Sequence, residues 1–507
     1  MTIEPVAAAP ADADRRLHPM SWLFVLVAQL RQFIVPLVAL LVFGQSRDDG
    51  FGGQEWWPLI GVAALVIASL WRYFTYRYGL AEQALVVRSG LFERSVRVVP
   101  FARIHNVALQ QSMLHRLFGV AEVRLESAGG QKPEAEMRVL KLADALALEA
   151  LIRRRAAGSA DPVAGDAGVE APAATPLLAL SIGEVLRLGL VSNRGLILLA
   201  AGFGGLSQFS PRLIPNLAEQ VGGWLFGWAG ERHFGPAEYA LAALALFALA
   251  MLALRLLSVL LSVMQYYGFR LSEHERRLTV ERGLLARWRT SASRRRIQAW
   301  TLREGLLHRW LGRRSLEVDT AVAEQQGQPQ RTLRELAPIA PPQACEALIE
   351  HLLPRAGWSR LEWRALPLAR GWRLWWPDAL FTTAAAAVLS WRFGPWAALL
   401  LLWLPWSAWR AQRCATRLGY ACNGELVAVR EGWWWRHWRF AEIEKLQALR
   451  ISRSPLDRRC GTATLSLDTA GAGAMAPPLR IRFLAEDEAR ALYDELAREL
   501  AQRPLRW

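Results

Sequence analysis

Cysteine is scarce in this 507-residue chain. There are four, Cys345, Cys414, Cys422 and Cys460, and none forms a CxxC pair or lies at metal-ligand spacing from a histidine. A disulfide framework and a thiolate metal site are not expected, and free thiols point to a reducing compartment. Catalytic signatures are also lacking. There is no GxxxxGK[ST] phosphate loop and no G-x-S-x-G elbow. His274-Glu275 is followed by Arg-Arg-Leu, so the second histidine of H-E-x-x-H is missing. No pair of carboxylates lies inside an apolar run. No enzyme, cofactor or metal is expected. A cleavable signal peptide is not evident either, because the first apolar run is too long for a signal core and no small-residue cleavage site accompanies it.

What the chain does have is apolar length. Runs lie near 21–43, 56–71, 186–206, 237–267, 374–390 and 395–409. A bilayer core ~30 Å thick needs about 20 apolar residues in a helix. The first four runs approach or exceed that, and the last two are shorter and rich in tryptophan. The formal net charge of +16 comes almost entirely from arginine. Nucleic-acid binding would require a basic soluble domain with a recognisable motif, whereas these arginines flank the apolar runs, as at Arg15, Arg16, Arg72, Arg77, Arg410, Arg413 and Arg417. The charge therefore suits an anionic leaflet, with no nucleic acid. The loop from Gly44 to Glu55 sets Arg47 against Asp48, Asp49 and Glu55 and is placed outside. The Arg-rich stretches between hairpins are placed in the cytoplasm, with both termini.

Three segments align along the chain. L-V-V-R-S-G ends at Gly90, L-T-V-E-R-G at Gly283 and V-A-V-R-E-G at Gly432. Arg103-Ile104, Arg296-Ile297 and Lys445-Leu446 follow at one spacing. L-H-R-L-F-G, L-H-R-W-L-G and L-D-R-R-C-G then end at Gly119, Gly312 and Gly461, and Glu126, Asp319 and Asp468 follow. Alternating residues before each first glycine predict a half-buried strand, and the glycine a turn of unusual φ. Val96–Pro100 and Ile104–Val107 predict further strands, L-H-R-x-x-G a short helical turn, and Met137–Leu140 the partner of V-R-L-E. Amphipathic helices are predicted at Ala143–Arg155, Pro341–Leu353 and Glu486–Gln502.

This pattern resembles the bacterial pleckstrin-homology (PH) domain of the second type, as it occurs in multi-copy membrane proteins of the YdbT-like kind with paired membrane helices before each copy. Copy three departs, with Asp457 for the histidine, Arg459-Cys460 for Leu-Phe and Trp433-Trp434-Trp435 at its first turn. The resemblance implies a PH-like fold at a membrane and no enzymatic activity. The expected fold class is membrane α-helical hairpins plus α+β, with three PH-like small β-barrel domains each closed by a C-terminal helix. The expected order is a cytoplasmic tail over 1–20, membrane hairpin one over 21–73 and PH-like domain one over 74–155. A linker over 156–183 follows, then hairpin two over 184–267, domain two over 268–355 and a linker over 356–373. Hairpin three takes 374–410 and domain three 411–507.

Several side chains carry competing readings. His115 and His308 are expected to pack or cap beside their helical turns rather than sense pH. Arg116, Arg309 and Arg458 are expected to pair with Glu126, Asp319 and Asp468 rather than bind phosphate. Arg287, Arg289, Arg294, Arg295, Arg296, Arg313 and Arg314 are candidates for contact with an anionic leaflet, each contributing roughly 1 kcal/mol near the surface. Trp433, Trp434, Trp435 and Trp438 suit either a bilayer interface or a docking patch for a protein partner. Arg31, Arg194 and Arg255, in or beside apolar runs, are expected to snorkel. The expected partners are the lipid bilayer with its anionic head groups and an unidentified protein. The expected place is a bacterial inner membrane, multi-pass. The function expected is a scaffold with a role in envelope maintenance or stress; a transporter is the rival.

Overall fold

A computed structural model describes residues 15–27, 73–81, 84–90, 95–101, 104–127, 135–156, 176–209, 235–274, 276–320, 333–366, 371–470 and 476–502, with scattered positions between 63 and 71 and between 215 and 227. Most of the first hairpin, with Arg31 and the loop around Arg47, lies outside the described residues. The chain packs as two units. One holds 1–173, 180–270 and 281–291; the other holds 174–179, 271–280 and 292–507.

In the first unit, β1 (Arg15–Arg16), β2 (Arg77–Leu80), β3 (Ala84–Ser89) and β4 (Ser95–Pro100) form an antiparallel sheet in that order. β5 (Ile104–Gln111), β6 (Val120–Ser127) and β7 (Ala135–Lys141) form another. Leu85, Val87 and Val99 from the first sheet meet Val107, Leu109, Val123 and Leu125 from the second in one buried cluster. These alternate positions share a face because side chains repeat every two residues along a strand. Between β5 and β6 runs α1 (Met113–Leu117), whose first turn is capped by the Ser112 hydroxyl accepting from the His115 amide. Helix α2 (Leu142–Ala156) closes the copy by burying Ala145, Leu148 and Ile152. Each large apolar side chain buried this way contributes ~1.5–3 kcal/mol.

Copy two begins with β8 (Pro176–Ala179) and an apolar hairpin: α3 (Ile182–Val191), α4 (Arg194–Phe209) and α5 (Pro236–Tyr266). Of the described helices, α5 alone is long and apolar enough to cross a bilayer; α3 and α4 meet that requirement only together, across a 52° bend. The six spans expected from the sequence thus reduce, by length and hydropathy, to one or two among the described residues. The third hairpin does not meet the requirement: its first helix, Trp372–Phe393, is diluted by tryptophan, threonine and charged residues, and the helix Trp403–Ala415 is only 13 residues long. Small residues set the closeness of α3–α4 to α5. A Cβ on Gly189 would stand 2.5 Å from the Val259 Cα, and one on Gly195 would stand 2.6 Å from the Leu254 carbonyl oxygen. Arg255 Nη1 donates to the carbonyls of Leu190 (3.1 Å) and Ser192 (3.2 Å), where the bend leaves them without helical donors. Arg194 Nη2 donates to the Tyr266 hydroxyl at 2.5 Å. Arg255 closes the helix break, and Arg194 ties the start of α4 to the end of α5.

The strands β9 (Arg270–His274) and β10 (Arg277–Arg282) follow, and β11 (Arg287–Ser293) lies antiparallel on β5. The second unit then holds β12 (Ile297–Glu304), α6 (Leu306–Trp310), β13 (Arg314–Thr320), β14 (Glu335–Ala340) and α7 (Pro342–Leu352). Next come β15 (Arg364–Ala365), α8 (Trp372–Phe393) and α9 (Trp403–Ala415). Copy three supplies β16 (Gly419–Cys422), β17 (Leu426–Glu431), β18 (Arg436–Glu442), β19 (Leu446–Ser452), α10 (Pro455–Cys460), β20 (Thr462–Thr469), β21 (Arg480–Ala485) and α11 (Glu486–Gln502). Seven strands pair as β14-β13-β12-β18-β17-β16-β15, and three as β19-β20-β21.

The small closed barrels expected for each copy do not form among the described residues. The sheets stay open because the edge that would close one copy is taken by the next: β5 by β11 and β12 by β18. A bare edge offers a row of unpaired N–H and C=O groups, and the following copy satisfies it.

Candidate membrane-facing joints

The two joints have one geometry. The fourth residue after the landmark glycine of the later copy faces the seventh after the landmark isoleucine of the earlier one. Arg287 is thus opposite Gln111, and Arg436 opposite Glu304. Four residues on, Ser291 faces Val107 and Phe440 faces Trp300. The turn before each incoming strand needs its glycine. Gly283 and Gly432 have φ of 114° and 85°, and an added Cβ would meet the Ala286 or Trp435 carbonyl oxygen at 1.9 Å or 2.0 Å.

Each turn rests on the end of the hairpin that precedes it. The Leu284 amide donates to the Met264 carbonyl in the last turns of α5 (3.0 Å). In copy three, Trp433 packs edge-on to Trp409 (4.7 Å between ring centres) and Trp434 to Trp406 (5.6 Å), both on α9. Trp403, Trp406 and Trp409 stand three apart on that helix and so share a face. Arg413 lies over the Trp409 ring at 5.5 Å and Arg417 over Trp438 at 5.9 Å. Trp435, 73% exposed, points outward. Trp438 sits inside the joint, opposite Leu302 and beneath the Arg314 guanidinium at 5.0 Å.

The arginine of each L-H-R segment reaches the turn of the next copy. Arg116 Nη1 donates to the Leu284 carbonyl at 2.7 Å, and Arg309 Nη1 to the Trp433 carbonyl at 3.3 Å. The ion pair expected between Arg309 and Asp319 is replaced: Asp319 binds Arg439 of copy three instead. Beside these clasps the helical turns expose apolar side chains, among them Leu117 (77%) and Trp310 (82%).

His115 does cap and pack. Its Nδ1 lies 2.6 Å from the Ser112 hydroxyl, and its ring lies 4.2 Å from that of Phe24 in the helical stretch 21–27. Burial pushes His308 below its ordinary pKa, though Glu304 opposes the shift. In copy three Asp457 takes the place of the histidine. It is buried against Arg373 Nη2 of α8 at 2.6 Å and accepts from the Thr462 hydroxyl at 2.7 Å. Burial alone would raise its pKa, but hydrogen bonds from Ser454, Arg373 and Thr462 hold the carboxyl well below the usual range.

The basic residues of copy two do not form one face. Arg289 lies 3.2 Å from Glu281 and 3.6 Å from Glu149, Arg294 3.6 Å from Glu273, and Arg314 2.7 Å from Glu346. Arg313 turns back to the Gly312 carbonyl at 3.0 Å. Burial, with Arg277 nearby, pulls the Arg296 guanidinium down to about 10. Arg287 and Arg295 are exposed. No group of histidine, cysteine and carboxylate side chains among the described residues is placed to hold a metal.

Repeated two-sheet copies, each closed by a helix and strung along apolar hairpins, define a class. The bacterial PH domain model matches residues 23–156, 234–356 and 364–500, and the chain belongs to that family. It is a membrane-associated protein with PH-like domains in three copies. It is 20% identical over 489 residues to the UPF0699 transmembrane protein YdbT of Bacillus subtilis (strain 168), covering 94% of this chain and 96% of that one. No solved structure matches.

Proposed function

We propose that this chain is a non-enzymatic scaffold of a bacterial inner membrane, multi-pass, whose PH-like domains lie in the cytoplasm against the anionic leaflet and bind a protein partner there. The observation that carries the reading is the belt at the joints. Trp433 and Trp434 pack on Trp406 and Trp409 at the end of the third hairpin, with Arg413 over Trp409 and Arg417 over Trp438. Tryptophan with arginine is the pairing that suits the boundary between hydrocarbon and head groups. The exposed Leu117 and Trp310 extend the same chemistry to copies one and two. In copy two the attraction to anionic lipid falls to Arg287 and Arg295, since the neighbouring arginines are ion-paired or turned inward. A role in envelope maintenance or stress fits a protein whose bulk faces the inner leaflet. A transporter gains no support: Arg255 is used in closing a helix break and Arg194 in binding Tyr266.

The test places a nitroxide at Trp435→Cys in full-length protein in anionic nanodiscs. At the leaflet the label is reached by oxygen and shielded from a water-soluble nickel chelate; equal exposure to both refutes the reading. Reporter fusions after residues 50, 155, 225 and 355 should read out, in, out, in. A periplasmic signal at 155 or 355 overturns the cytoplasmic placement.

A further inference from the structure

The two internal joints leave two matching edges over. At one end of the series, β4 stands where β11 and β18 stand in their copies. At the other, β19 stands where β5 and β12 stand. Among the described residues, neither outer edge pairs with a strand. Their side chains show it. Val96 and Val98 of β4 are 59% and 50% exposed, whereas Phe440, at the Val98 position in β18, is fully buried. Gln447, Ala448 and Arg450 of β19 are exposed, whereas Ala299 and Thr301 on β12 are buried.

We propose that a second copy of this chain completes the series: β19 of one molecule pairs antiparallel with β4 of the next, in the register that both internal joints share. That register sets Ser95 opposite Ser452, Val96 opposite Ile451 and Val98 opposite Leu449. The last two are apolar pairs at the positions that hold Trp438 with Leu302 and Phe440 with Trp300 in the internal joint. Cross-strand pairs of this kind stabilise a sheet. Arg97 falls at the Arg439 position, and Asp468 at that of Asp319, the acid that Arg439 binds. Asp468 is exposed and has no side-chain partner among the described residues. It stands beside Arg450, which the register sets opposite Arg97, so the carboxylate lies between two guanidinium groups. Arg458 occupies the place of Arg116 and Arg309, and its exposed guanidinium has no partner among the described residues. Both edges are used by different strands, so the contact is head-to-tail, and it generates rings or open rows rather than a two-fold dimer.

The experiment uses full-length protein in native membranes on a Cys460→Ser background, with Ser95→Cys and Ser452→Cys carried on separately tagged chains. Oxidation of co-expressed chains should give a two-chain product with one of each tag, and the double variant a ladder of higher species. Either single variant alone should give no product above background. Asp468→Arg should reduce the product at least ~10-fold, and Arg97→Glu added to it should restore the product. Three results overturn the proposal: efficient crosslinking between two Ser95→Cys chains, a double variant that closes only within one chain, or a product indifferent to the Asp468→Arg change.

Discussion

Arg373 and Asp457 fasten the third hairpin to the third PH-like domain, and cutting that link has a calculable cost. Arg373 donates to Asp457 and to the Thr462 hydroxyl, each at 2.6 Å, and neither charged side chain is more than a tenth exposed. Arg373→Met removes the cation and leaves a buried carboxylate held only by Ser454 and Thr462. Stranding one member of a buried ion pair costs about 3–5 kcal/mol. Hydrogen exchange of the α10 and β20 amides in nanodiscs should therefore quicken by roughly two to three and a half decades. Replacing both partners, Arg373→Met with Asp457→Leu, should recover most of that protection, because no buried charge remains. The pH dependence follows in sign. The folded carboxyl is held below its ordinary value of 3.8, so its contribution is present above that pH and is lost as pH falls further. A single variant that costs under about 1 kcal/mol, or a double variant no better than the single, would refute the argument.

Gly432→Ala should destabilise copy three by about 1–2 kcal/mol from backbone strain alone, with the clash on the Trp435 carbonyl added, read as earlier exchange in β17 and β18. Burial, opposed by Arg124, lifts the Glu122 carboxyl from 4.5 to about 7; the folded state then holds a proton that the unfolded chain has released. Stability of copy one should fall as pH rises from about 4.5 to 7, by up to about 3 kcal/mol, and Glu122→Gln should flatten that fall in a thermal-melt series. Arg255→Leu strips the donors from the Leu190 and Ser192 carbonyls and should cost about 1–3 kcal/mol, read as faster exchange at the α3–α4 bend.

The strands and closing helices were legible because their cues are local. Alternation before Gly90, Gly283 and Gly432 gave β3, β10 and β17, and the last amphipathic stretch is α11 at the residues expected. The joints were not legible, because β11 meets β5 across some 180 residues and no side-chain pattern names a strand's partner. For the same reason the recurrence of Arg116, Arg309 and Arg458 was visible but its meaning was misassigned. An arginine that binds a backbone carbonyl leaves no second residue to co-occur with it, whereas Glu126, Asp319 and Asp468 did recur and drew the pairing. The basic run at 287–296 is contiguous along the chain but not in space. In space Arg289 and Arg294 answer to acids on different elements.

The chain passes between the two compact units several times and for the last time at Ser291–Ala292, inside copy two, so the repeat of the sequence and the repeat of the fold are out of phase. A fragment cut at the sequence repeat, such as 268–355, would carry β11 without β5 and β12 without β18. Both long edges would be bare and free to pair with anything extended. Such a fragment should aggregate, and lipid binding measured on it would report those edges rather than the protein. Fragments that keep β5 with β11, or β12 with β18, cut through a copy but leave each sheet whole.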